Sequence, residues 1–179
     1  MQPEETPPAA GEGESTPPDG VELATGAAPG GDAAPPDGFQ PPEGFAPPEG
    51  FQPMTQTSPY GRLVGPVFEK TTPDGKVFGF RVSEKHVNLG GVTHGGMLAT
   101  FADIVLGQFE ARDFDKVIVT VRMVADFLAP ARRGDWVEGT ANLTRQTRSF
   151  FFVDGVITCR TRNLLNVSAI FKVVNRRRG

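Results

Sequence analysis

The sequence predicts an α+β domain in which an antiparallel sheet wraps around one long buried helix. The helix is predicted by residues 95–110, GGMLATFADIVLGQFE, whose only polar side chains before Glu110 are Thr100, Asp103 and Gln108. A helix that is apolar on nearly all sides is typical of a protein interior. The sheet is predicted by a run of strand-like segments separated by turn signals. A single sheet around the helix would explain why the helix lacks a polar face.

The predicted elements begin with a β-hairpin. Val67 and Phe68 precede the turn sequence TPDGK (72–76), and the apolar segment VFGFRV (77–82) follows it. After the buried helix we expect four or five antiparallel strands. The segments that predict these strands are KVIVTVRM (116–123), ADFLAP (125–130), WVEGTANLTRQ (136–146), SFFFVDGVITCRT (149–161) and VSAIFKVVN (167–175).

Residues 1–58 differ in composition from the rest of the chain. They hold 13 of the 17 prolines and ten acidic residues, with no Lys or Arg, so their formal charge is −10, whereas that of residues 59–179 is +7. Such a segment cannot bury enough apolar surface to offset the entropy lost on ordering. We therefore expect a disordered acidic tail over residues 1–58 and a basic folded domain over residues 59–179.

The tail contains three copies of a six-residue repeat, PPDGFQ (35–40), PPEGFA (41–46) and PPEGFQ (47–52). Pro-Pro favours polyproline II, and an acidic residue followed by Gly favours a turn. One interpretation is an extended spacer that leaves Phe39, Phe45 and Phe51 exposed. The other is a docking motif, with the phenylalanines as anchors in a partner or in the domain's own groove.

Several classes of protein are disfavoured by the composition. The chain lacks the basic start and apolar run of a secretory signal, and it lacks a run of ~20 apolar residues that could span a membrane. Cys159 is the single cysteine, so no intrachain disulfide can form and the thiol is expected in the core. These features predict a cytoplasmic protein. The C-terminal NRRRG (175–179) is interpreted as a solvated tail, with an anion-binding patch as the alternative.

Metal and nucleic-acid binding are also disfavoured. His86 and His94 lie eight residues apart without a supporting Cys or acidic cluster, so no metal site is expected. His86 is instead expected to be structural or to steady the loop. The phenylalanines in RQTRSFFF (145–152) alternate too little for an exposed platform on which bases could stack.

A candidate site surrounds the predicted helix. Gly95 and Gly96 lie at its expected start, where unpaired N–H groups and the positive end of the helix dipole can bind a developing oxyanion. Asn88 and His94 precede this start with polar groups that can hold water or a carbonyl. Asp103 is an isolated carboxylate on an apolar helix, where an acid is rarely buried without a partner. Together these residues predict the hydrolysis of an acyl compound; the alternative for Asp103 is a purely structural carboxylate.

The spacing of these groups predicts an oligomer. Gly95 and Asp103 are eight residues apart, which is ~12 Å along a helix at 1.5 Å per residue. One substrate carbonyl cannot contact both groups within one subunit. If they cooperate, Gly95 of one subunit must meet Asp103 of another, and a two-fold homodimer would contain two such sites.

The segment HVNLGGVTHGG (86–96), followed by Asp103, resembles the HxNxxGxxHGG…D signature of the PaaI-like hotdog-fold acyl-CoA thioesterases. VTVRMVADFLAPARRGD (119–135) also resembles the third strand of that family and the turn after it, and the likeness spans roughly residues 60–174. The resemblance implies a hotdog fold, hydrolysis of acyl-CoA thioesters, and assembly as homodimers or as tetramers made of two dimers.

The resemblance also implies roles for individual residues. Asp103 matches the catalytic carboxylate, which acts as general base or as nucleophile, and Gly95 matches the backbone donor to the thioester carbonyl. Asn88 and His94 match the groups that orient water and the loop. Thr120 lies where some members carry a hydroxyl that helps to place the water.

A thioester carbonyl is already electrophilic, so neither a cofactor nor a metal is expected, and coenzyme A enters as part of the substrate. The formal charge of +7 on residues 59–179 favours binding of the phosphate groups of coenzyme A. Two other functions stay open: a hotdog domain that binds acyl-CoA without turnover, as a regulator or scaffold, and a hydratase, which needs a different arrangement of histidine and acid. The candidates for phosphate contacts are Arg145, Arg148, Arg160, Arg162 and Lys172.

Overall fold

A computed structural model of the chain describes residues 46–55, 58–109 and 117–174. Within these residues a seven-stranded antiparallel sheet has the strand order β1-β2-β3-β5-β6-β7-β4 and packs against the longer of two α-helices. The α+β prediction of a sheet around one main helix is confirmed. The elements are β1 (Gln52–Pro53), α1 (Pro59–Val64), β2 (Phe68–Thr72), β3 (Gly75–Arg81), α2 (Gly95–Leu106), β4 (Val117–Phe127), β5 (Trp136–Gln146), β6 (Phe150–Cys159) and β7 (Arg162–Val174).

The central helix α2 presses one side against the sheet. Gly155 of β6 allows this close approach, because a Cβ there would lie 2.5 Å from the carbonyl oxygen of Thr140 and 3.0 Å from Leu106 Cδ1. Asp103 and Ile104 lie on the remaining side, which is only partly buried. Neither described helix is long and apolar enough to cross a membrane. The buried residues of α2 are Met97, Leu98, Phe101, Ala102, Val105 and Leu106.

The strands follow the predicted order. The hairpin of β2 and β3 is confirmed, with Gly75 at a φ of 119° in its turn. The two segments predicted at 116–123 and 125–130 form one strand, β4, so four strands follow α2. Alternation along β6 and β7 places every second side chain in the core, where it covers α2. These core residues are Phe151, Val153, Ile157, Cys159, Leu165, Val167, Ala169 and Phe171.

Strand β4 lies at one edge of the sheet and contains a β-bulge. Its register against β7 shifts between Thr120 and Arg122, which leaves Val121 as the extra residue. Such a bulge reverses which face successive side chains occupy. Ile118 before the bulge and Met123 after it are therefore both packed against the core, although their spacing is odd.

The ordered part of the domain begins before the predicted boundary at residue 59. Phe51 is only 7% exposed and Met54 8%, and Gln52–Pro53 pair with β2. The expected exposure of Phe51 is therefore wrong, because its ring packs against the indole of Trp136 on the domain. Residues 46–55, assigned to the tail, pack on the domain, while the expectation for residues 1–45, including Phe39 and Phe45, lies outside the described residues.

Candidate active site

The first turn of α2 presents an unpaired backbone donor. His94 is the N-cap residue, and its Nδ1 accepts a hydrogen bond of 2.9 Å from the Gly96 N–H. This bond requires the neutral ring to carry its proton on Nε2, which remains a second donor. Among the described residues, the Gly95 N–H has no hydrogen-bond acceptor. The helix start therefore offers N–H groups of positive polarity to an incoming carbonyl oxygen.

Asn88 shapes the loop that precedes the helix. Its Oδ1 accepts hydrogen bonds from the N–H groups of Gly90, at 2.9 Å, and Val92, at 3.4 Å. Its backbone N–H donates to the Val92 carbonyl oxygen at 2.8 Å, which closes a tight turn in which Gly91 has a φ of 73°. Because Oδ1 is occupied, the Nδ2 amide group of Asn88 is what remains to orient a water or a carbonyl.

A residue that the sequence did not single out fixes this loop to the sheet. Thr93 is 4% exposed, and both its N–H and its Oγ1 donate to the carbonyl oxygen of Ala131, at 2.8 and 3.1 Å. Bridges from Val92 to Arg132 and from Val87 to Thr93 extend the pairing. The turn after β4 is therefore the support on which His94 and Gly95 are held.

Asp103 lies further along α2 and has a partner on β4. The Thr120 hydroxyl donates a hydrogen bond of 2.7 Å to Asp103 Oδ1. Thr120 is the last residue before the bulge and lies on the same side of β4 as Ile118, so its hydroxyl reaches Asp103 although the residue is exposed. The contact joins two residues to which the family resemblance assigns roles in the site, and the bulge beside it is not predicted by the sequence.

A cavity of about 390 Å³ opens beside Asp103 and Thr120. It combines the polar side chains of Ser58 and Gln108 with an apolar wall, so it can hold an apolar group next to a carboxylate and a hydroxyl. Sequence reasoning missed its N-terminal wall, because no periodic pattern marks that segment. The apolar side chains of the wall are Met54, Val67, Ile104, Ile118 and Phe171.

The two halves of the site lie on one continuous helix. Gly95 and Asp103 both belong to α2, so their backbones are separated by ~12 Å along its axis. The structure brings Asn88, His94 and Gly95 together at one end and joins Asp103 to Thr120 further along. It does not bring the two groups together within one chain.

His86 and Cys159 are both buried and lie outside the candidate site. His86 is 3% exposed; its Nε2 donates to the Val64 carbonyl oxygen at 2.7 Å and its Nδ1 accepts from the Ser83 N–H at 3.0 Å. Burial lowers the pKa of this imidazole, and the nearby Lys85 acts in the same direction. The structural role expected for His86 is confirmed. Cys159 is buried as expected, and burial raises the pKa of its thiol.

No group of three or more His, Cys, Asp or Glu side chains lies close enough to hold a metal ion in the part of the chain that the structure describes. Arg162 donates to the Pro130 carbonyl oxygen at 3.3 Å and lies 3.9 Å from Asp135. The remaining candidates for phosphate contacts, Arg145, Arg148, Arg160 and Lys172, are exposed.

Comparison with known proteins identifies the family. Residues 90–165 match the thioesterase superfamily. "Putative esterase PA0474" of Pseudomonas aeruginosa is 36% identical over 119 residues, which cover 65% of this chain and 89% of that protein. Human "Acyl-coenzyme A thioesterase 13" is 28% identical over 107 residues, covering 59% of this chain and 76% of that protein. A mutant of the phenylacetic acid degradation protein PaaI from Thermus thermophilus has the same fold, with a TM-score of 0.58, 19% identity, and coverage of 65% of this chain and 100% of that one.

The matched region, residues 90–165, overlaps the motif at residues 86–103, and the Pseudomonas relative is matched over most of its length. The chain therefore belongs to the thioesterase superfamily and is a thioester hydrolase with the PaaI-like hotdog fold.

Proposed function

We propose that the protein hydrolyses acyl-CoA thioesters to free CoA and a carboxylic acid, with Asp103 as the catalytic carboxylate. The observation that carries the proposal is the 2.7 Å hydrogen bond from Thr120 to Asp103 Oδ1 at the mouth of a cavity with an apolar wall. The bond holds one carboxylate oxygen and leaves the other to act on a water. The human relative is an acyl-coenzyme A thioesterase by name, which supports acyl-CoA as the substrate class.

The proposed step needs a donor and a base. Asp103 takes a proton from a water, whose oxygen attacks the thioester carbonyl, and the oxyanion that forms accepts a hydrogen bond from the Gly95 N–H. The carbon–sulfur bond then breaks, and the proton held by Asp103 passes to the departing thiolate. The His94 Nε2–H and the Asn88 amide orient the water and the carbonyl. A covalent route, with Asp103 as the nucleophile, uses the same groups.

The distance between the donor and the base supports a site shared across a homodimer. We infer that Asp103 of one chain works with the partner subunit's Gly95. The edge of β4 supplies a surface for this pairing, because an unpaired edge of eleven residues with apolar side chains is otherwise prone to uncontrolled association. The exposed apolar side chains on β4 and directly after it are Val117, Val119, Val121, Val124, Phe127 and Leu128. A pair of such dimers would give the tetramer that the sequence also allows.

Coenzyme A carries several phosphate charges, and the part of the chain from residue 59 onward has a formal charge of +7. This charge supports binding and faster encounter with the anionic substrate. The exposed residues Arg145, Arg148, Arg160 and Lys172 are candidates for these contacts. The proposed reaction draws on no metal or cofactor.

A panel of acyl-CoA thioesters tests the proposal, with release of free CoA followed by a thiol reagent. Wild-type protein is expected to cleave some members, and Asp103→Asn is expected to lower kcat by about 10³-fold. Asn retains an oxygen that can accept the Thr120 hydrogen bond, so the melting temperature should stay near the wild-type value. Full activity in this variant would contradict the role of Asp103.

The alternative function, an acyl-CoA-binding regulator or scaffold, predicts a different result from the same panel. In that case the protein binds one or more acyl-CoA thioesters, measured by titration calorimetry, and wild type and Asp103→Asn both release no CoA.

A further inference from the structure

The N-terminal segment, residues 46–55 and 58–64, lies outside the region that matches the superfamily, yet it lines the cavity beside Asp103. Met54, Ser58 and Gly61 contribute directly to the cavity. Met54 is only 8% exposed, and its side chain belongs to the main hydrophobic core. Part of the substrate-facing surface is therefore built by residues that precede the family motif.

Phe51 anchors this segment in an aromatic slot. Its ring meets Trp136 edge to face, with ring centroids 5.0 Å apart, and Trp136 also packs against Phe68 at 5.7 Å. Gly79 makes room for the slot, because any side chain there would collide with the indole of Trp136. Arg81 lies over the same indole at 5.3 Å. The contact buries nearly all of the Phe51 side chain.

The third copy of the repeat supplies the geometry of this anchor. Pro48 and Phe51 close a turn through a 3.3 Å hydrogen bond, with Gly50 at a φ of 84°. Lys70 Nζ donates to the Glu49 carbonyl oxygen at 3.3 Å, and Arg81 donates to that of Ala46 at 2.8 Å. The turn residues Pro, Glu and Gly are those that such a conformation requires.

Met54 sets the register of the segment. Its N–H donates to the Val67 carbonyl oxygen at 2.9 Å, next to the β1–β2 pairing. The two upstream copies of the repeat have Pro42 and Pro48 at the position equivalent to Met54, and proline has no N–H to donate. Only the third copy can therefore dock in this register and place a methionine in the cavity wall.

The other end of the segment is fastened to the family motif. The carbonyl oxygen of Leu63 accepts from Lys85 Nζ at 2.8 Å, and that of Val64 accepts from His86 Nε2 at 2.7 Å. Tyr60 and Thr100 of α2 share a hydrogen bond of 3.0 Å between their hydroxyls. With anchors at both ends, the position of Met54 relative to Asp103 is defined by several independent contacts.

We infer that the N-terminal segment is the acyl-specificity element of the enzyme, and that Met54 limits the length of the acyl group accepted beside Asp103. The inference rests on the proposed function, because it assigns the cavity to the acyl part of an acyl-CoA. The cavity wall includes the apolar side chains of Met54, Val67, Ile104, Ile118 and Phe171. Such a surface suits an aliphatic or aryl acyl group rather than a polar one. Phe51 acts as a positioning residue that holds Met54 in place.

The test compares acyl-CoA thioesters of increasing straight-chain length on full-length variants. In Met54→Ala, the ratio of kcat/KM for long over short substrates is expected to rise about tenfold, since one methylene in an apolar pocket already changes discrimination by about that factor. Phe51→Ala is expected to shift the ratio in the same direction. Met97→Ala is the matched control, because Met97 is also 8% exposed but does not line the cavity. Phe45→Ala is the control for the repeat, and both controls should keep the wild-type ratio.

The same length series is measured as Kd in the Asp103→Asn background, so that the inference can be judged without turnover. A Met54→Ala profile equal to that of the wild type in both measurements overturns the inference, as does an equal shift in Met97→Ala. The proposed function fails separately, if Asp103→Asn retains activity or if no thioester is cleaved.

Discussion

In the proposed reaction the two ends of α2 perform different tasks, and they are built in different ways. At the start of the helix, Gly95 contributes a backbone N–H, and its support comes from residues close in sequence, His94 and the loop closed by Asn88. At Asp103 the working group is a side chain, and its surroundings come from distant parts of the chain, Thr120 on β4 and Met54 in the N-terminal segment. The donor end is thus a local structure, whereas the carboxylate end depends on tertiary packing.

This difference has a consequence for specificity. A backbone donor recognises only the carbonyl common to all thioesters, so the helix start can serve any substrate of the class. In the proposed reaction, the cavity beside Asp103 receives the variable acyl group, and part of its wall is formed by side chains that lie outside the family motif. Variation of substrate within the superfamily can therefore arise at the carboxylate end without any change at the donor end.

After Asp103→Asn, the largest effect is expected from removing the donor at the start of the helix. Gly95→Pro deletes the N–H but suits the first helical position, and His94 already has the extended backbone, with ψ of 133°, that precedes a proline. We expect kcat to fall by about 10²–10³-fold, as for the loss of one oxyanion donor. The melting temperature should change little.

Gly95→Ala is the matched control for this substitution. It adds the same Cβ, which would lie 3.3 Å from the ring of Phe127, but it retains the N–H. Phe127 is 55% exposed and can move aside. An equal loss of kcat in both variants would show that the site requires the empty space where a Cβ at position 95 would lie, and not the Gly95 N–H.

The next effect tests how far the carboxylate end depends on the N-terminal segment. Phe51→Ala is expected to lower the free energy of unfolding by about 3 kcal/mol, the lower end for a buried phenylalanine. Phe39→Ala and Phe45→Ala, in the upstream copies of the repeat, should leave it unchanged. Urea denaturation of the three variants measures this. Equal losses in all three would mean that the copies exchange within the slot.

A smaller effect is expected at Thr120. Thr120→Val has the same shape but cannot donate to Asp103 Oδ1, and we expect kcat to fall about tenfold, because a hydrogen bond to a charged group contributes about 1.5–3 kcal/mol. Thr120→Ser retains the hydroxyl and should stay near the wild-type rate. Steady-state kinetics on one good substrate measures kcat for both variants. A fully active Thr120→Val enzyme would contradict a role for Thr120 in the reaction.

The smallest effect concerns His86. Its side chain bonds to the end of α1, and its carbonyl oxygen accepts a hydrogen bond from the His94 N–H at the start of α2. Burial holds the pKa of this imidazole below its ordinary value of 6.5, so the unfolded chain takes up the proton first as the pH falls. The stability that neutral His86 provides is complete above about pH 6.5 and is lost progressively below it. Urea denaturation from pH 7.5 to about pH 5.5 should show this decline, with a smaller slope in His86→Gln. Identical slopes in the two proteins would contradict the assignment.

The sequence predicted the donor end more completely than the carboxylate end. The sequence predicts the helix start at Gly95 and the polar loop residues Asn88 and His94 before it, because these features are local. It does not predict that His94 is the N-cap or that Asn88 closes the turn. By contrast, simple alternation along β4 would place Thr120 on the same side as Arg122 and Asp126. The bulge at Val121 instead places Thr120 on the side of Ile118, within reach of Asp103. A bulge arises from pairing with another strand, so it left no clear pattern in the sequence.

The N-terminal segment shows the same limit. Its composition predicted disorder through residue 58, yet Phe51 and Met54 are buried because Trp136 and Val67 are positioned by the fold to receive them. Sequence reasoning did state that the repeat could dock in the domain's own groove. It could not choose that alternative, because the slot is assembled from the β2–β3 hairpin and from β5, which lies far from the hairpin in the sequence.

The central claim is that each active site combines the two ends of α2 from different subunits, and a mixed dimer tests it most directly. Gly95→Pro and Asp103→Asn are each expected to inactivate both sites of their own homodimers. When equal amounts are co-expressed, half of the dimers are mixed, and each mixed dimer contains one site with an intact Gly95 and an intact Asp103. The account predicts recovery of about a quarter of the wild-type activity, as two-fold symmetry requires. Activity no higher than that of the two parent variants would place each site within one chain and contradict the account.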